Sequence, residues 1–403
     1  MAKKLISVWL SLTILLFSSI SIIYADEVIQ GDFFLKNIVI NGENIVNYKL
    51  SNPILLYNDS TYIPMDTTMG CILGFEAELD NESRTLKILK TEPTQTNLVD
   101  QTVKNNLEDV TAVARYDIDV VAYTEAQNKD ARLNGEQADA TGSDQNDEGV
   151  SLFKRALEEF SIFGMMLSAV DVQSNLKTAE LEEIQVPEMN QVQIDLKGQA
   201  VLVRNDIVYV PLNTIVSSET LGWTSYYDDY AGVYISTDDE IDAASYFNAS
   251  ESNYYAGLTA YVVKRNPKLS KSQALEMVKY FEAYGQIYGV DLELLMSLAQ
   301  SESCYTSDIC NSYNCCGLMQ IKVSTGANYG LTKAELLQVK PNIQMGTMLI
   351  GENLKTFGGD VVKALAAYNY GTYAVQKGKY TTGYAYKVIE RAASIEAFAN
   401  SYA

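Results

Sequence analysis

The chain has 403 residues, 47% of them apolar and 20% charged, so it can bury a core in two or three domains. Its formal net charge of −21 argues against nucleic-acid binding, which depends on clustered Lys and Arg. The sequence contains no histidine, which excludes Ser-His and Cys-His nucleophile pairs and metal sites that use imidazole ligands.

Residues 1–25 have the pattern of an export signal. Lys3 and Lys4 precede an apolar stretch over residues 5–23, and Ala25 is a small residue of the kind found at cleavage sites. The stretch is long enough to span a bilayer if it is retained. We therefore expect a secreted or cell-surface protein associated with the cell wall, and a membrane contact only if the signal stays uncleaved.

Two later segments repeat one pattern. Residues 57–88 and 203–235 share an aromatic-aliphatic-Pro triplet, then a Leu-Gly-aromatic triplet, then an Asp six positions after that Gly. The marker residues are Pro64, Gly74 and Asp80 in the first copy and Pro211, Gly222 and Asp228 in the second. The pattern predicts a strand, a short helix and a hairpin in each copy.

This pair of repeats resembles the copper amine oxidase-like N-terminal domain, a stalk module of secreted proteins of Gram-positive bacteria. The resemblance covers 34–92 and 190–238 and implies a spacer or adhesion role. It implies no copper, because the chain has no histidine to bind that metal. Pro64 and Pro211 are interpreted as turn residues and Trp223 as a core residue.

Between the copies, residues 93–189 are predicted to form an acidic insertion. Residues 127–149 hold almost no large apolar side chains and many acidic ones, which predicts a flexible linker. Residues 150–170 have apolar residues at helical spacing, which predicts one amphipathic helix.

From residue 256 to residue 403 the pattern is helical and the charge mildly basic, with 14 Lys and Arg against 11 Asp and Glu. Such a domain can approach an anionic polymer. Apolar spacing predicts a helix within 266–290, with Ser270 or Ser272 as N-cap and Gly289 as its end. A second helix is predicted after Asp291.

Glu302 near the end of that second helix is the candidate catalytic residue. It shares a stripe with Leu295 and Leu298, which predicts a buried position. Burial and the negative end of the helix dipole both disfavour ionisation, so both raise the pKa of the carboxyl. A carboxyl still protonated near neutral pH can act as general acid in glycosidic bond cleavage. The alternative is a glutamate at a frayed helix end that faces water.

Four cysteines follow within thirteen positions: Cys304, Cys310, Cys315 and Cys316. Cysteines of exported proteins tend to pair, so two local disulfides are predicted. We expect Cys304 to pair with Cys315 or Cys316, and Cys310 with the other. A thiolate metal site is the rival interpretation, but the paired C-x-x-C spacing of zinc sites is missing, so no metal is predicted.

Five motifs then occur in a fixed order. They are Glu302-Ser303, Gly-Leu-Met-Gln-Ile at 317–321, Asn342 with Gly346, Ala-Tyr-Asn at 367–369, and Tyr384 with Val388. Over residues 270–391 these motifs resemble the catalytic domain of the soluble lytic transglycosylases, which has a lysozyme-like fold. We therefore expect a multidomain α+β protein. Its parts are an N-terminal α/β stalk domain of two strand-helix-hairpin repeats with an insertion, and a mainly α lysozyme-like domain over 256–403.

The resemblance implies roles for individual residues around Glu302. Glu302 would be the single catalytic acid and base, and Ser303 would orient it or the substrate. Met319 and Gln320 would line the cleft beside the scissile bond. The chain departs from the family at Tyr370, where Ala is common, and in the cysteine-containing loop, which puts subsite shape in question.

Further along, Asn369 and Tyr384 would hold the acetamido group of the sugar or the oxocarbenium-like intermediate. Tyr368 would contact substrate or belong to the core. Asn342 and Gly346 are interpreted as structural, with Gly346 allowing close helix packing.

The resemblance implies an enzyme acting on peptidoglycan glycan strands without a cofactor or metal. With one carboxylate, Glu302 would protonate the oxygen of the β-1,4 bond between MurNAc and GlcNAc, and the C6 hydroxyl would then attack C1 to form 1,6-anhydroMurNAc. One alternative is a muramidase that hydrolyses the same bond with a second acid such as Asp308 or Glu335. The other is a non-catalytic module that binds cell-wall glycan.

Overall fold

The computed structural model describes residues 26–94, 110–125, 189–217 and 219–402. The predicted export signal, the linker at 127–149 and the helix at 150–170 lie outside these residues. Within the described ranges, no helix is both long and apolar enough to cross a membrane.

The N-terminal domain consists of strands and two short helices. The strands of its first half are β1 (Glu27–Phe33), β2 (Asn37–Ile40), β3 (Glu43–Asn44), β4 (Leu55–Tyr57), β5 (Ser60–Pro64), β6 (Phe75–Asp80) and β7 (Thr85–Lys90). Those of its second half are β8 (Val110–Arg115), β9 (Asp119–Glu125), β10 (Met189–Ile194), β11 (Val201–Arg204), β12 (Ile207–Pro211), β13 (Thr224–Asp228) and β14 (Gly232–Ser236). Helix α1 (Thr67–Leu73) follows β5, and helix α2 (Leu212–Ile215) follows β12.

These strands form a closed barrel and two four-stranded sheets. The barrel order is β1-β4-β5-β12-β11-β8, and the sheets are β10-β9-β7-β6 and β13-β14-β2-β3. Each sheet contains one parallel pair, β7 with β9 and β14 with β2. All other pairs in the barrel and these two sheets are antiparallel.

The domain is thus a duplication of one seven-stranded unit, β1 to β7 with α1 and β8 to β14 with α2. In each unit the first, fourth and fifth strands enter the barrel. The second strand of each unit pairs with the last strand of the other unit. Each copy therefore completes a sheet that the other copy begins.

The prediction of an insertion over 93–189 is wrong in its extent. β8 and β9 lie inside that range and β10 begins at Met189, and these three are the first strands of the second copy. The first copy joins its second and third strands through Asn41 and Gly42, whereas the second copy joins them through residues 126–188. The first copy also begins at Glu27 rather than at residue 34. The marker triplets of the repeat occur only in the second half of each unit, so they did not reveal the first half.

Matching two-residue turns support the duplication. Asn58 and Asp59 join β4 to β5, and Asn205 and Asp206 join β11 to β12. Their φ angles are 47° and 57° in the first turn and 50° and 62° in the second. A type I′ hairpin turn requires positive φ at both positions, and Asn and Asp adopt it more readily than other side chains.

The C-terminal domain is mainly helical. Its helices are α3 (Ala249–Arg265), α4 (Lys271–Tyr288), α5 (Leu292–Ser303), α6 (Val323–Asn328), α7 (Val339–Thr356), α8 (Val361–Tyr370), α9 (Thr372–Gln376) and α10 (Gly383–Asn400). Two short strands, β15 (Cys315–Cys316) and β16 (Ile321–Lys322), pair after α5. The start of α4 has a capping box between Ser270 and Gln273, and Gly289 ends that helix at a φ of 70°.

The second repeat also contacts the helical domain. Asp228 accepts hydrogen bonds from the backbone N–H groups of Tyr230 and Ala231, as the equivalent Asp80 does in its own turn. In addition, Ser252 on α3 donates to Asp228 at 2.7 Å. Asp228 therefore stabilises its own turn and also contacts the helical domain.

We predict that Gly232→Ala destabilises the N-terminal domain by more than about 2 kcal/mol. Gly232 has a φ of 137°, and a Cβ there would lie 2.1 Å from the carbonyl oxygen of Asn37 on the parallel partner strand. Gly198 has a φ of 75° with open space around it, so Gly198→Ala is the control and should cost about 1 to 2 kcal/mol. Denaturant unfolding measures both, and equal losses would contradict the prediction.

Candidate active site

Helix α5 carries Glu302 as its next-to-last residue. Leu295 and Leu298 on the same stripe are fully buried, and Glu302 is half-buried. The hydroxyl of Tyr384, on α10, donates a hydrogen bond to Glu302 Oε1. The structure therefore places the carboxyl against protein rather than at a frayed, solvated helix end.

The surroundings of Glu302 favour its protonated form. Burial raises the pKa of the carboxyl, and the hydrogen bond from Tyr384 partly offsets this by stabilising the ionised form. The position at the C-terminal end of α5 also disfavours negative charge. Burial and the nearby Glu302 carboxylate raise the pKa of Tyr384, so that hydroxyl keeps its proton and remains a donor.

Three contacts align α10 along α5. Tyr384, Val388 and Arg391 are spaced at i, i+4 and i+7. The Tyr384 hydroxyl donates to Glu302, the Val388 carbonyl accepts from Ser297 Oγ at 2.6 Å, and the Arg391 guanidinium donates to Ser301 Oγ. These contacts fix the Tyr384 hydroxyl at the carboxyl.

The loop of residues 317–320 lies between the two short strands and is held by three side chains. The bonds run from Ser303 Oγ to the Leu318 carbonyl (2.6 Å), from the Met319 N–H to Asn342 Oδ1 (2.7 Å) and from the Tyr368 hydroxyl to the Met319 carbonyl (2.9 Å). Helices α5, α7 and α8 each supply one of these side chains. The loop backbone is therefore fixed from three directions beside Glu302.

Close packing also holds this loop. A Cβ at Gly346 on α7 would lie 2.3 Å from the sulfur of Met319, and a Cβ at Gly317 would lie 2.2 Å from the amide nitrogen of Asn342. Asn342 is fully buried. The structural roles predicted for Asn342 and Gly346 agree with this arrangement, although Gly346 admits a loop side chain rather than another helix.

The other predicted site residues occupy different environments. The Ser303 hydroxyl is buried and bonded to backbone, and the Met319 side chain is fully buried, so neither side chain forms an open cleft surface. Gln320 is half-buried and donates to the Gly317 carbonyl at 2.9 Å. Asn369 is exposed at the end of α8. The substrate contacts of Gln320 and Asn369 stay predictions.

Tyr368 directly precedes Asn369 and lies within electrostatic reach of Glu302. Burial is the main reason why its pKa is raised well above the usual tyrosine value, and the negative charge of Glu302 adds to it. Its ring packs against the core, and its hydroxyl is bonded to the loop. The Tyr368 ring is therefore part of the core, and its hydroxyl helps to position the loop beside Glu302.

Sequence reasoning missed Arg391 and Tyr305. The i, i+7 spacing from Tyr384 to Arg391 could have indicated the first. Tyr305 is fully buried although its φ is 59°, and its carbonyl accepts from Asn266 at 2.9 Å. These contacts stabilise the turn that follows α5. No sequence pattern predicts an aromatic residue at a left-handed loop position.

The two-disulfide prediction is wrong. Only Cys310 and Cys316 are bonded within the described residues, and this pair was one of the two expected for Cys310. Cys304 and Cys315 are free. Cys304 ends α5, and its sulfur lies 3.5 Å from the Arg265 carbonyl. Cys315 adjoins Cys316 on a strand, where neighbouring side chains point to opposite faces, so it points away from the bonded pair.

No second acid stands out near Glu302 in the part of the chain that the structure describes. The causes of the pKa shift of Glu302 include no other carboxylate. Asp308 is exposed, and Glu335 accepts hydrogen bonds from the backbone and hydroxyl of Thr332. The same residues contain no group of three His, Cys, Asp or Glu side chains that could hold a metal ion.

We predict that Glu302→Gln stabilises the protein at pH 8 and leaves its stability unchanged at pH 4. Because burial raises the folded-state pKa of Glu302 above the usual 4.5, wild-type stability should fall as the pH rises from 4.5 through the raised value. The glutamine variant lacks this fall. Thermal unfolding across the range checks it, with exposed Glu390→Gln as control. A pH-independent difference between Glu302→Gln and wild type would contradict it.

Comparison with known proteins identifies part of the chain. Residues 279–388 match the family model of the transglycosylase SLT domain. The transglycosylase of Enterobacteria phage PRD1 is 33% identical over 119 residues, which are 30% of this chain and 44% of the phage protein. The chain thus spans less than half the length of that relative.

Two solved structures are also similar. The 70 kDa soluble lytic transglycosylase of Escherichia coli has a TM-score of 0.29 and 18% identity, over 37% of this chain and 30% of that one. An inactive mutant of the lytic transglycosylase Slt from Pseudomonas aeruginosa has a TM-score of 0.24 and 21% identity, over 30% of this chain and 22% of that one. On the family match, residues 279–388 of this chain are a transglycosylase SLT domain, and this domain contains Glu302, the loop at 317–320 and Tyr384.

Proposed function

We propose that the protein is an exported peptidoglycan lytic transglycosylase that cleaves the β-1,4 bond between MurNAc and GlcNAc and forms 1,6-anhydroMurNAc. The observation that carries the proposal is the half-buried carboxyl of Glu302, with its raised pKa and its bond to Tyr384. The match of residues 279–388 to the SLT domain supports the substrate class.

The first half of the reaction uses Glu302 as an acid. Its raised pKa keeps a larger fraction protonated at neutral pH, so it can donate a proton to the glycosidic oxygen. The bond from C1 to that oxygen breaks, and the GlcNAc leaves with the proton. The acetamido group of the substrate stabilises the positive charge that develops at C1.

The second half uses the same group as a base. The ionised Glu302 takes the proton of the C6 hydroxyl while O6 attacks C1, which closes the anhydro ring and restores the protonated acid. No water is consumed. The Tyr384 hydroxyl, which keeps its proton, stabilises the ionised carboxylate between the two halves.

Within the part of the chain that the structure describes, no second carboxylate affects Glu302, which favours this route over hydrolysis. A two-carboxylate glycosidase needs a partner carboxylate about 5 to 9.5 Å away. Among the described residues, Asp308 is exposed and Glu335 is bonded to its own turn, and neither contributes to the pKa shift of Glu302. A buried acid also has no use in a module that only binds glycan, since burying a carboxyl costs stability.

The remaining parts of the chain fit an enzyme of the cell wall. Residues 1–25 have the pattern of an export signal, which would carry the enzyme to its substrate. The duplicated barrel domain would act as a wall-associated spacer in the manner of a stalk. Glycan strands would be the partner of the helical domain.

We predict that the purified protein releases muropeptides one water lighter than hydrolytic products, and that Glu302→Gln lowers this rate by about 10²-fold to 10⁴-fold. The glutamine keeps an acceptor for Tyr384 but cannot donate and recover a proton. Mass spectrometry of soluble products from peptidoglycan measures both.

Glu390→Gln, exposed on α10, is the matched control and should match wild type. Products with a free reducing end would replace the proposal with a muramidase. If the wild-type protein releases no products from peptidoglycan that a control enzyme digests, the result would favour a non-catalytic module that binds glycan.

We predict that Tyr384→Phe moves the alkaline limb of kcat/KM to higher pH and lowers kcat by roughly 10²-fold. The hydrogen bond from Tyr384 lowers the pKa of Glu302, so its loss raises that pKa and keeps the acid protonated to higher pH. Rate profiles from pH 5 to pH 9 measure the shift.

Tyr386→Phe, an exposed tyrosine on the same helix, should leave the profile unchanged. An alkaline limb of Tyr384→Phe that stays in place or moves to lower pH would show that the hydroxyl does not act on Glu302.

A further inference from the structure

A groove of about 590 Å³ lies between the barrel and helix α4, and none of the site residues named above lines it. The side formed by the N-terminal domain consists of the end of β1, the turn between β4 and β5, the start of α2 and, from the sheet β13-β14-β2-β3, strand β13. Helix α4 forms the other side. We call this feature the interdomain groove. Its volume lies within the range of about 300 to 1,000 Å³ that is usual for ligand sites.

The floor of the interdomain groove is apolar. Phe33, Phe34, Leu212 and Val233 line it, and all four are at least 95% buried. The ring of Tyr227 at the edge is 51% exposed. The groove thus has apolar side chains in its lining beside an aromatic ring that is partly open to solvent.

The edge of the interdomain groove is polar and open to solvent. Asp32, Asp59, Asn213, Ser225 and Glu276 line it, and all five are exposed. Together they supply carboxylate, amide and hydroxyl groups, so acceptors outnumber donors. A ligand that fits must bring donors of its own.

The two lysines in the groove are already engaged. Lys279 is 2% exposed, and its Nζ lies 3.0 Å from Glu282 Oε2. Lys36 donates to the Tyr227 hydroxyl, and its Nζ lies 4.7 Å from the centre of that ring. Lys36 keeps its positive charge, because tyrosine is neutral, but three exposed carboxylates, those of Asp32, Asp59 and Glu276, outnumber it at the open edge. Desolvation and the charge of Asp32 raise the pKa of Glu276, and an anionic ligand would add to this repulsion.

We propose that the interdomain groove binds an N-acetylated sugar of a glycan strand, at a second site distinct from the one at Glu302. A pyranose has an apolar C–H face for the floor and the Tyr227 ring, and its edge carries hydroxyl and amide donors for Asp32 and Glu276. A neutral N-acetylhexosamine brings no negative charge to these carboxylates. The choice of a glycan as the source of this sugar rests on the proposed function.

A second binding site for the glycan strand would raise the effective concentration of the strand near Glu302. A glycan held in the interdomain groove keeps neighbouring sugars close to the same molecule, which favours the engagement of Glu302 without changing the chemical step. We therefore expect the groove to matter on insoluble peptidoglycan and not on short soluble substrates.

The experiment measures binding of chitotetraose to the full-length Glu302→Gln protein by calorimetry. Tyr227→Ala and Glu276→Ala, each added to this background, should remove one binding site. Tyr116→Ala, which changes an exposed tyrosine of the same domain outside the groove, should keep the full number of sites. Unfolding curves that match the parent show that each variant is folded.

The proposal would be overturned if both groove variants kept the full number of chitotetraose sites. It would also be overturned if the variants lost binding of a cationic stem peptide but kept binding of chitotetraose.

With Glu302 intact, Tyr227→Ala should retain wild-type turnover of a soluble tetrasaccharide within twofold and lose at least fivefold in binding to insoluble peptidoglycan. If the wild type cleaves peptidoglycan but the groove variants keep all their sites, only the groove proposal fails. If sites are lost but the wild type cleaves nothing, only the proposed activity fails.

Discussion

The contact between helices α5 and α10 is the constraint on which the candidate site depends. Glu302 needs a desolvated carboxyl that can still ionise, and the Tyr384 hydroxyl makes this possible by donating to it. That hydroxyl is held in place because the backbone of α10 accepts from Ser297 and because Arg391 donates to Ser301 one turn further along. The chemistry of one side chain thus depends on the alignment of two helices over about two turns of α10.

The loop at 317–320 is also fixed by contacts from several helices. Ser303 directly follows Glu302, and its hydroxyl donates to the Leu318 carbonyl, so a hydrogen bond links the helix end to the loop. Tyr368 and Asn342 hold the adjoining peptide from two other helices. A rigid frame of this kind positions a catalytic group more precisely than a free loop could.

Local patterns predicted the local structure well. The stop at Gly289 and the placement of Glu302 at a helix end follow from residue types within a few positions, and the structure confirms both. The sequence offered Ser270 or Ser272 as the N-cap, and the structure selects Ser270. Pairing between distant segments was not predictable in this way. The strands β8 and β9 carry no marker residues, and each pairs with one strand of its own copy and one strand of the other copy. The free Cys304 and Cys315 likewise depend on where a helix end and a strand point their side chains. The interdomain groove depends on how two domains meet, for which the sequence has no periodic signal.

The interleaving of the two repeats has a consequence for proteolysis. A single cut between β9 and β10 would divide the barrel into a fragment with β1, β4, β5 and β8 and a fragment with β11 and β12. The sheets would hold these fragments together, because β9 still pairs with β10 and β2 still pairs with β14. The nicked chain would therefore stay assembled by complementation, with the helical domain covalently linked to the C-terminal fragment alone.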